Sequence, residues 1–159
     1  MEKPVQYVPV GLPFSGKTTL SKELANRLGF ARVNLDEVKF EFGHEDKNDD
    51  EVTHEEWTAI FNETDKRVTE HLKAGRSVIN ETSWTKKWKR DRARKLASDL
   101  GLETKVIFVN VPAEVARERL LKNRTGNERF DIPDEAFDQV IEEFEIPTED
   151  ENLLIYDQN

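Results

Sequence analysis

The sequence predicts an α/β domain in which a parallel sheet is covered by helices on both faces, with the whole chain, residues 1–159, forming one domain. Three observations predict it. Short apolar, β-prone runs alternate with longer stretches whose apolar residues recur every three or four positions. A glycine-bearing segment, residues 11–18, stands between the first such run and the first helical stretch. The 159 residues contain no evident repeat, linker or low-complexity tract, and a chain of this size buries roughly 70% of its extended surface without needing a staple.

Taken in order, residues 5–10 read as a buried strand, with Pro9 near its end, where a missing N–H is tolerated. Leu20, Leu24 and Leu28 mark one face of a helix that begins near Gly16 and stops at Gly29. Residues 30–35 predict a second strand, closed by Asp36, and the acidic stretch 43–51 reads as a loop. Thr53 and Glu56 have capping-box spacing, in which a hydroxyl and a carboxylate satisfy N–H groups at a helix start. Trp57, Ile60, Phe61, Val68 and Leu72 carry that helix to about Gly75. Residues 77–80 predict a third strand with Glu81 at its end, and Thr82 or Ser83 is expected to cap a helix that runs to Leu100. Residues 105–111 form the most apolar strand. Pro112 suits the first turn of a helix bearing Val115, Ala116, Leu120 and Leu121. Residues 122–131 break that pattern and read as a polar loop; a lid is expected at about 122–132. Pro133 opens a helix with Ala136, Phe137, Val140 and Ile141, and residues 152–156 form a last strand.

Acidic residues outnumber basic ones 33 to 24, for a formal net charge of −9. Such a chain repels nucleic acid and anionic lipid unless a local basic patch intervenes. The one basic stretch, residues 86–95, reads either as a solvated helix face or as a patch that attracts a phosphorylated acceptor. Cysteine is absent, which excludes disulfides, Cys-ligated zinc and thiol catalysis and fits a cytoplasmic location. The N-terminus lacks the basic start and apolar core of a signal peptide, and no run approaches the ~20 apolar residues of a membrane span, so no membrane partner is expected.

Gly11-Leu12-Pro13-Phe14-Ser15-Gly16-Lys17-Thr18 fits G-x-x-x-x-G-K-[ST], and it follows a strand and opens a helix, the context that gives the motif its meaning. Glycines at 11 and 16 are expected to take backbone angles denied to other residues, so that successive N–H groups turn toward a β-phosphate. The helix N-terminus adds partial positive charge. Lys17 reaches the β- and γ-oxygens, and the Thr18 hydroxyl is the expected ligand of Mg²⁺. The expected ATP-binding residues are thus Gly11, Pro13, Phe14, Ser15, Gly16, Lys17, Thr18 and Thr19. The motif leaves the fate of the γ-phosphate open.

On the acceptor side, Asp36 reads either as a helix N-cap or as a carboxylate that takes a proton from an attacking hydroxyl. Lys39 lies one turn on and is either an acceptor ligand or a surface lysine. Glu81 either orients acceptor or metal, or is a loop carboxylate. Trp84 and Trp88 either pack or stack on a base. Arg117, Arg119, Lys122, Arg124 and Arg129 form a cationic segment; Arg124 and Arg129, flanking Gly126, are the pair expected to close over the triphosphate.

These residues give the chain a resemblance to the small P-loop kinases of the group containing polynucleotide 5′-kinase, the zeta toxins and chloramphenicol phosphotransferase. It is carried by residues 11–20, by Val33-Asn34-Leu35-Asp36-Glu37-Val38-Lys39, by residues 77–84, by residues 109–119, and by the Arg124/Arg129 segment leading to Ile132-Pro133. The resemblance implies five parallel strands in the order 2-3-1-4-5, ATP·Mg²⁺ as donor, Asp36 as general base and lid arginines as clamps. Polynucleotide kinases usually carry arginine where Lys39 stands, and many members carry Asp where Glu81 stands. The expected function is transfer of the γ-phosphoryl of ATP to a hydroxyl of a small molecule or of a nucleic acid 5′ end. The alternative is a nucleotide-dependent switch or ATP-binding module with slow hydrolysis.

Overall fold

Val8, Val10, Val33, Val78, Ile79, Val106 and Val109 are all buried, and the runs that contain them are the strands. The computed structural model describes residues 2–82, 84–126 and 131–157. Its elements alternate as β1 (Gln6–Val10), α1 (Lys17–Leu28), β2 (Ala31–Asn34), α2 (Leu35–Glu41), α3 (His54–Lys73), β3 (Val78–Glu81), α4 (Lys87–Ser98), β4 (Thr104–Asn110), α5 (Ala113–Gly126), α6 (Asp134–Glu143) and β5 (Leu153–Asp157). Short 3₁₀ turns stand at Asp49–Glu51 and Glu149–Glu151. All strand pairs are parallel and the order is β2-β3-β1-β4-β5, as the resemblance implied. Parallel neighbours need crossovers, and the helices supply them.

The sheet's core is split between helices. Val68, Leu72 and Ala97 of α3 and α4 pack on Val33 and Val78, and Ala93 packs on Val8, Val10 and Val106. A second core joins Phe14, Val109, Val111, Ala116, Leu120 and Phe137, which binds α5 and α6 to the carboxyl end of β4 and to the loop after β1. The capping box starts α3 as expected: Glu56 N–H donates to Thr53 Oγ1 at 3.1 Å and Thr53 N–H to Glu56 Oε1 at 2.9 Å. Arg90 and Glu151, both fully buried, pair at 2.7 Å and tie α4 to the segment before β5. Removing either partner would strand a charge, at a cost of about 3–5 kcal/mol.

Three boundaries differ from the sequence reading, each for a physical reason. The second strand ends at Asn34, and Leu35 already belongs to α2. Asn34 is extended and its Oδ1 accepts from Glu37 N–H at 3.0 Å, so the asparagine is the cap and Asp36 sits in the first helical turn instead of ending the strand. Thr82 does not cap α4, which starts at Lys87 after Lys86 and without a side-chain cap; Ser83, the other expected cap, lies outside the described residues. The intervening loop is held by Trp84, whose Nε1 donates to Asn80 O at 2.7 Å and whose carbonyl accepts from Arg90 Nη1 at 2.8 Å. Finally, α5 continues through Gly126, so Arg124 is on a helix and not in a loop. Lys122, Asn123 and Arg124 are polar, but polarity does not stop a helix, and lysine and arginine favour one. Of the expected lid, residues 127–130 lie outside the described residues. Among the described residues, no helix is long and apolar enough to cross a membrane.

Candidate functional site

The loop after β1 turns tightly, with Ser15 N–H donating to Leu12 O at 3.1 Å. Gly16, at φ 97°, caps α1 in the left-handed region, as glycine readily does. Gly11 serves differently from the expectation: its φ is not positive, but a Cβ there would lie 2.6 Å from Ser15 Oγ and 2.9 Å from Val109 O. Close approach, not dihedral freedom, demands that glycine. Phe14 also has positive φ, 64°, which costs a residue with a side chain about 1–2 kcal/mol. Its ring is buried in the Leu120–Phe137 core, and burying a phenylalanine stabilises by about 1.5–3 kcal/mol, enough to offset the strain.

No side chain caps the N-terminus of α1 and no acidic residue stands in its first turn. Helix N–H groups there are suited to an anion. Lys17 Nζ donates to Gly11 O at 2.7 Å, across the mouth of the loop. Thr18 and Thr19 follow in the first turn of α1. Among the described residues no group of three His, Asp or Glu could hold a metal. The Thr18 hydroxyl could hold Mg²⁺, an ion that takes one or two protein ligands and completes its shell with phosphate and water.

Among the described arginines, Arg119 reaches this loop, its Nη1 donating to Phe14 O at 3.1 Å. Arg124 instead spans the α5–α6 junction: Nε meets Asp131 Oδ1, and Nη2 meets Asp134 Oδ1 and Ile132 O, each at 2.8 Å. The hydrogen bond to Asp131, then that to Asp134, raises its pKa. Arg117 pairs with Asp138 and lies over the Phe137 ring. Arg129 lies outside the described residues.

The strand order places the carboxyl end of β3 beside that of β1, and that of β2 one strand further out. Asp36 is exposed there, in the first turn of α2. Glu81 ends β3 opposite Asn34, and its carboxylate takes a fork from Arg32, Nε at 2.7 Å and Nη2 at 2.8 Å, plus Asn34 Nδ2. The remaining Arg32 nitrogen, Nη1, meets Glu37 at 3.1 Å. Burial works to lower the Arg32 pKa, but Glu81 and Glu37 outweigh it and the net shift is upward. Lys39 is buried, with Nζ on Lys47 O at 2.7 Å and Asp49 Oδ1 at 3.1 Å.

Arg32 and Asn34 were missed in the sequence. Their signal is spacing: two apart on β2, they share a face, and the parallel register sets Asn34 against Glu81. The basic stretch 86–95 is largely consumed by ion pairs. Lys87 meets Asp150, Arg90 meets Glu151, Arg92 meets Asp65, Arg94 meets Asp91 and Lys95 meets Asp99. Trp84 packs on the α4 core, while Trp88 is exposed beneath Lys89. Two surface grooves of about 550 and 490 Å³ lie at the amino ends of β1 and β4, away from this edge, and contribute nothing to it.

Solved structures share this architecture. The Pnkp1/Rnl/Hen1 RNA repair complex contains a chain with 19% identity and a TM-score of 0.77; the likeness covers 90% of this chain and 44% of that one. A gluconokinase from Sinorhizobium meliloti 1021 is 20% identical, with a TM-score of 0.68 over 99% of this chain and 84% of its own. The APS kinase CysC of Mycobacterium tuberculosis, solved with AMPPNP and APS, is 16% identical, with a TM-score of 0.66 over 99% and 90%. At such identities the likeness establishes the α/β fold with its five parallel strands, and the fold alone. No curated protein matches the chain in sequence. Residues 7–147 match the AAA domain family, and with that match covering most of its length the chain belongs to that family.

Proposed function

We propose that the chain is an ATP-dependent phosphotransferase that moves the γ-phosphoryl group to an acceptor hydroxyl. One observation carries the reading: the phosphate loop and the Asp36 carboxylate follow β1 and β2, at the carboxyl edge of one parallel sheet with β3 between them. In the reaction the acceptor oxygen bonds to the γ-phosphorus, the bond from that phosphorus to the β–γ bridging oxygen breaks, and ADP leaves. The acceptor's proton passes to Asp36. Lys17 and the N–H groups of α1 hold the phosphate oxygens, so positioning and charge neutralisation supply most of the acceleration. Mg²⁺, which the Thr18 hydroxyl would hold, would supply positive charge to offset that of the phosphates.

The acceptor side favours a small molecule over a nucleic acid end. Residues 32–56 hold ten Asp or Glu against three Lys or Arg, a net −7 within a chain of −9. The three cations, Arg32, Lys39 and Lys47, are each paired with a carboxylate there or with Glu81. A polyanion approaching that lobe is repelled.

The test supplies γ-labelled ATP·Mg²⁺ with pooled metabolites in one arm and 5′-OH oligonucleotides in the other, using the wild type and Asp36→Ala. The expected result is label in a metabolite, ATP affinity kept by the variant and transfer lost. ATP turnover that no hydroxyl compound accelerates would instead mark a nucleotide switch and end the kinase reading.

A further inference from the structure

We propose that Arg119 is a positioning residue for the phosphate loop, holding the Phe14–Ser15 peptide in place before any nucleotide binds. The inference rests on the nucleotide-binding reading of that loop and adds a residue that acts on it through the backbone.

Among the described residues only Phe14 and Asn152 are non-glycine residues with positive φ. Asparagine stabilises that conformation with its own short polar side chain. Phenylalanine has no such means, so tertiary contacts must hold it. Two do. The ring is buried with Leu120 and Phe137, and the carbonyl oxygen accepts from Arg119 Nη1 at 3.1 Å, across 105 residues of chain.

The hold on the carbonyl matters because a peptide is planar: fixing C=O fixes the N–H on its other side. That N–H belongs to Ser15 and donates to Leu12 O at 3.1 Å. The peptide is therefore pinned at both ends, by α5 on one side and by the loop's own turn on the other. The next residue is Gly16, at φ 97°, from which α1 and its N–H groups start. A rotation of the pinned plane would re-aim those N–H groups. Arg119 and Leu120 are adjacent on α5, so a single helical turn grips both the carbonyl and the ring of Phe14.

The alternative is that Arg119 acts only as a direct ligand of the base or phosphates. The experiment uses the full chain with Arg119→Gln and Arg119→Lys, and three readouts: amide hydrogen exchange at Ser15 without ligand, and the affinities for Mg²⁺·tripolyphosphate and Mg²⁺·AMPPNP. Arg119→Gln is expected to speed Ser15 exchange severalfold in the ligand-free protein. It should weaken both ligands by one common factor, on the order of tenfold. Arg119→Lys, which keeps a donor, should recover part of each effect. Unchanged Ser15 exchange overturns the proposal, whether AMPPNP alone weakens (a base contact) or both ligands do (a phosphate contact). A double-mutant cycle with Phe14→Gly checks the route, since glycine adopts left-handed geometry unaided. In that background Arg119→Gln should cost markedly less affinity, and equal losses in both backgrounds overturn the proposal.

Discussion

Between Gly11 and Thr19 a single charged residue, Lys17, stands among glycine, proline, hydroxyl and apolar side chains; between Arg32 and Glu56 ten carboxylates stand against three cations. Both segments flank the same sheet edge. In the proposed kinase the first would work largely through backbone groups, whose geometry is set by a positive φ at Phe14 and Gly16 and a close approach at Gly11. The second works through side chains that hold one another: Arg32 on Glu81 and Glu37, Lys39 on Asp49, Asn34 on Glu81 and on the start of α2. In the proposed kinase the triphosphate is the fixed half of the reaction, and a backbone cradle suits it. An acceptor differs from protein to protein, and its pocket is built from variable parts.

The sharpest way to break this contrast is at Lys17. Lys17→Met removes the one side-chain charge of the loop, and turnover should fall by about 10³-fold, in line with losing a group aimed at developing charge. Steady-state transfer of γ-label measures it. If turnover stays within tenfold of wild type, the donor side does not rely on this ammonium.

Asp36→Asn probes the other side and should separate the two. Losing a positioned general base costs about 10²-fold or more in turnover, while AMPPNP affinity measured by calorimetry should stay at the wild-type value. A variant that loses nucleotide affinity and turnover together would place Asp36 on the donor side and dissolve the distinction.

The same contrast explains what was legible in the sequence. The strands, the glycine-bearing turn after β1 and the Thr53–Glu56 cap were readable because each rests on local rules: periodicity, glycine placement, a four-residue motif; the strand order is non-local and came only with the family resemblance. Arg119 could be seen only as one of several arginines, because its partner is a backbone oxygen 105 residues away. In the sequence Arg124 reads as a loop arginine because polar residues surround it, whereas Asp131 and Asp134 hold it at a helix end. Lys39 and Asp36 share a short helix, yet one is buried and turned to Lys47 while the other is exposed. Sequence spacing alone does not distinguish those orientations.

Glu81→Gln sharpens the account of the acceptor side. It removes the charge from the half-hidden fork with Arg32 and should destabilise the fold by about 3 kcal/mol, read from denaturant midpoints. It also leaves the guanidinium less fully neutralised. The proposed kinase should then gain activity toward acidic acceptors relative to neutral ones of the same skeleton, gluconate against glucose for instance. If the ratio does not move, Arg32 lies out of reach of the acceptor.

The smallest effect expected is an acid dependence confined to the acceptor lobe. Thr53 N–H, then Lys47, hold the Glu56 carboxyl down from its ordinary 4.5 to about 2. A carboxyl depressed on folding favours the folded state above its unfolded value, and that contribution disappears as pH falls from about 4.5 to about 2. Glu56→Gln should therefore flatten the loss of stability across that window and leave the trend above pH 5 parallel to wild type. Asp150, likewise held at about 2, chiefly by Lys87 and Thr148, is untouched by the variant, so a residual acid slope should persist. Denaturant midpoints at steps between pH 5 and pH 2.5 give the comparison. Identical slopes in the two proteins would mean that the capping box starts α3 without coupling its stability to pH.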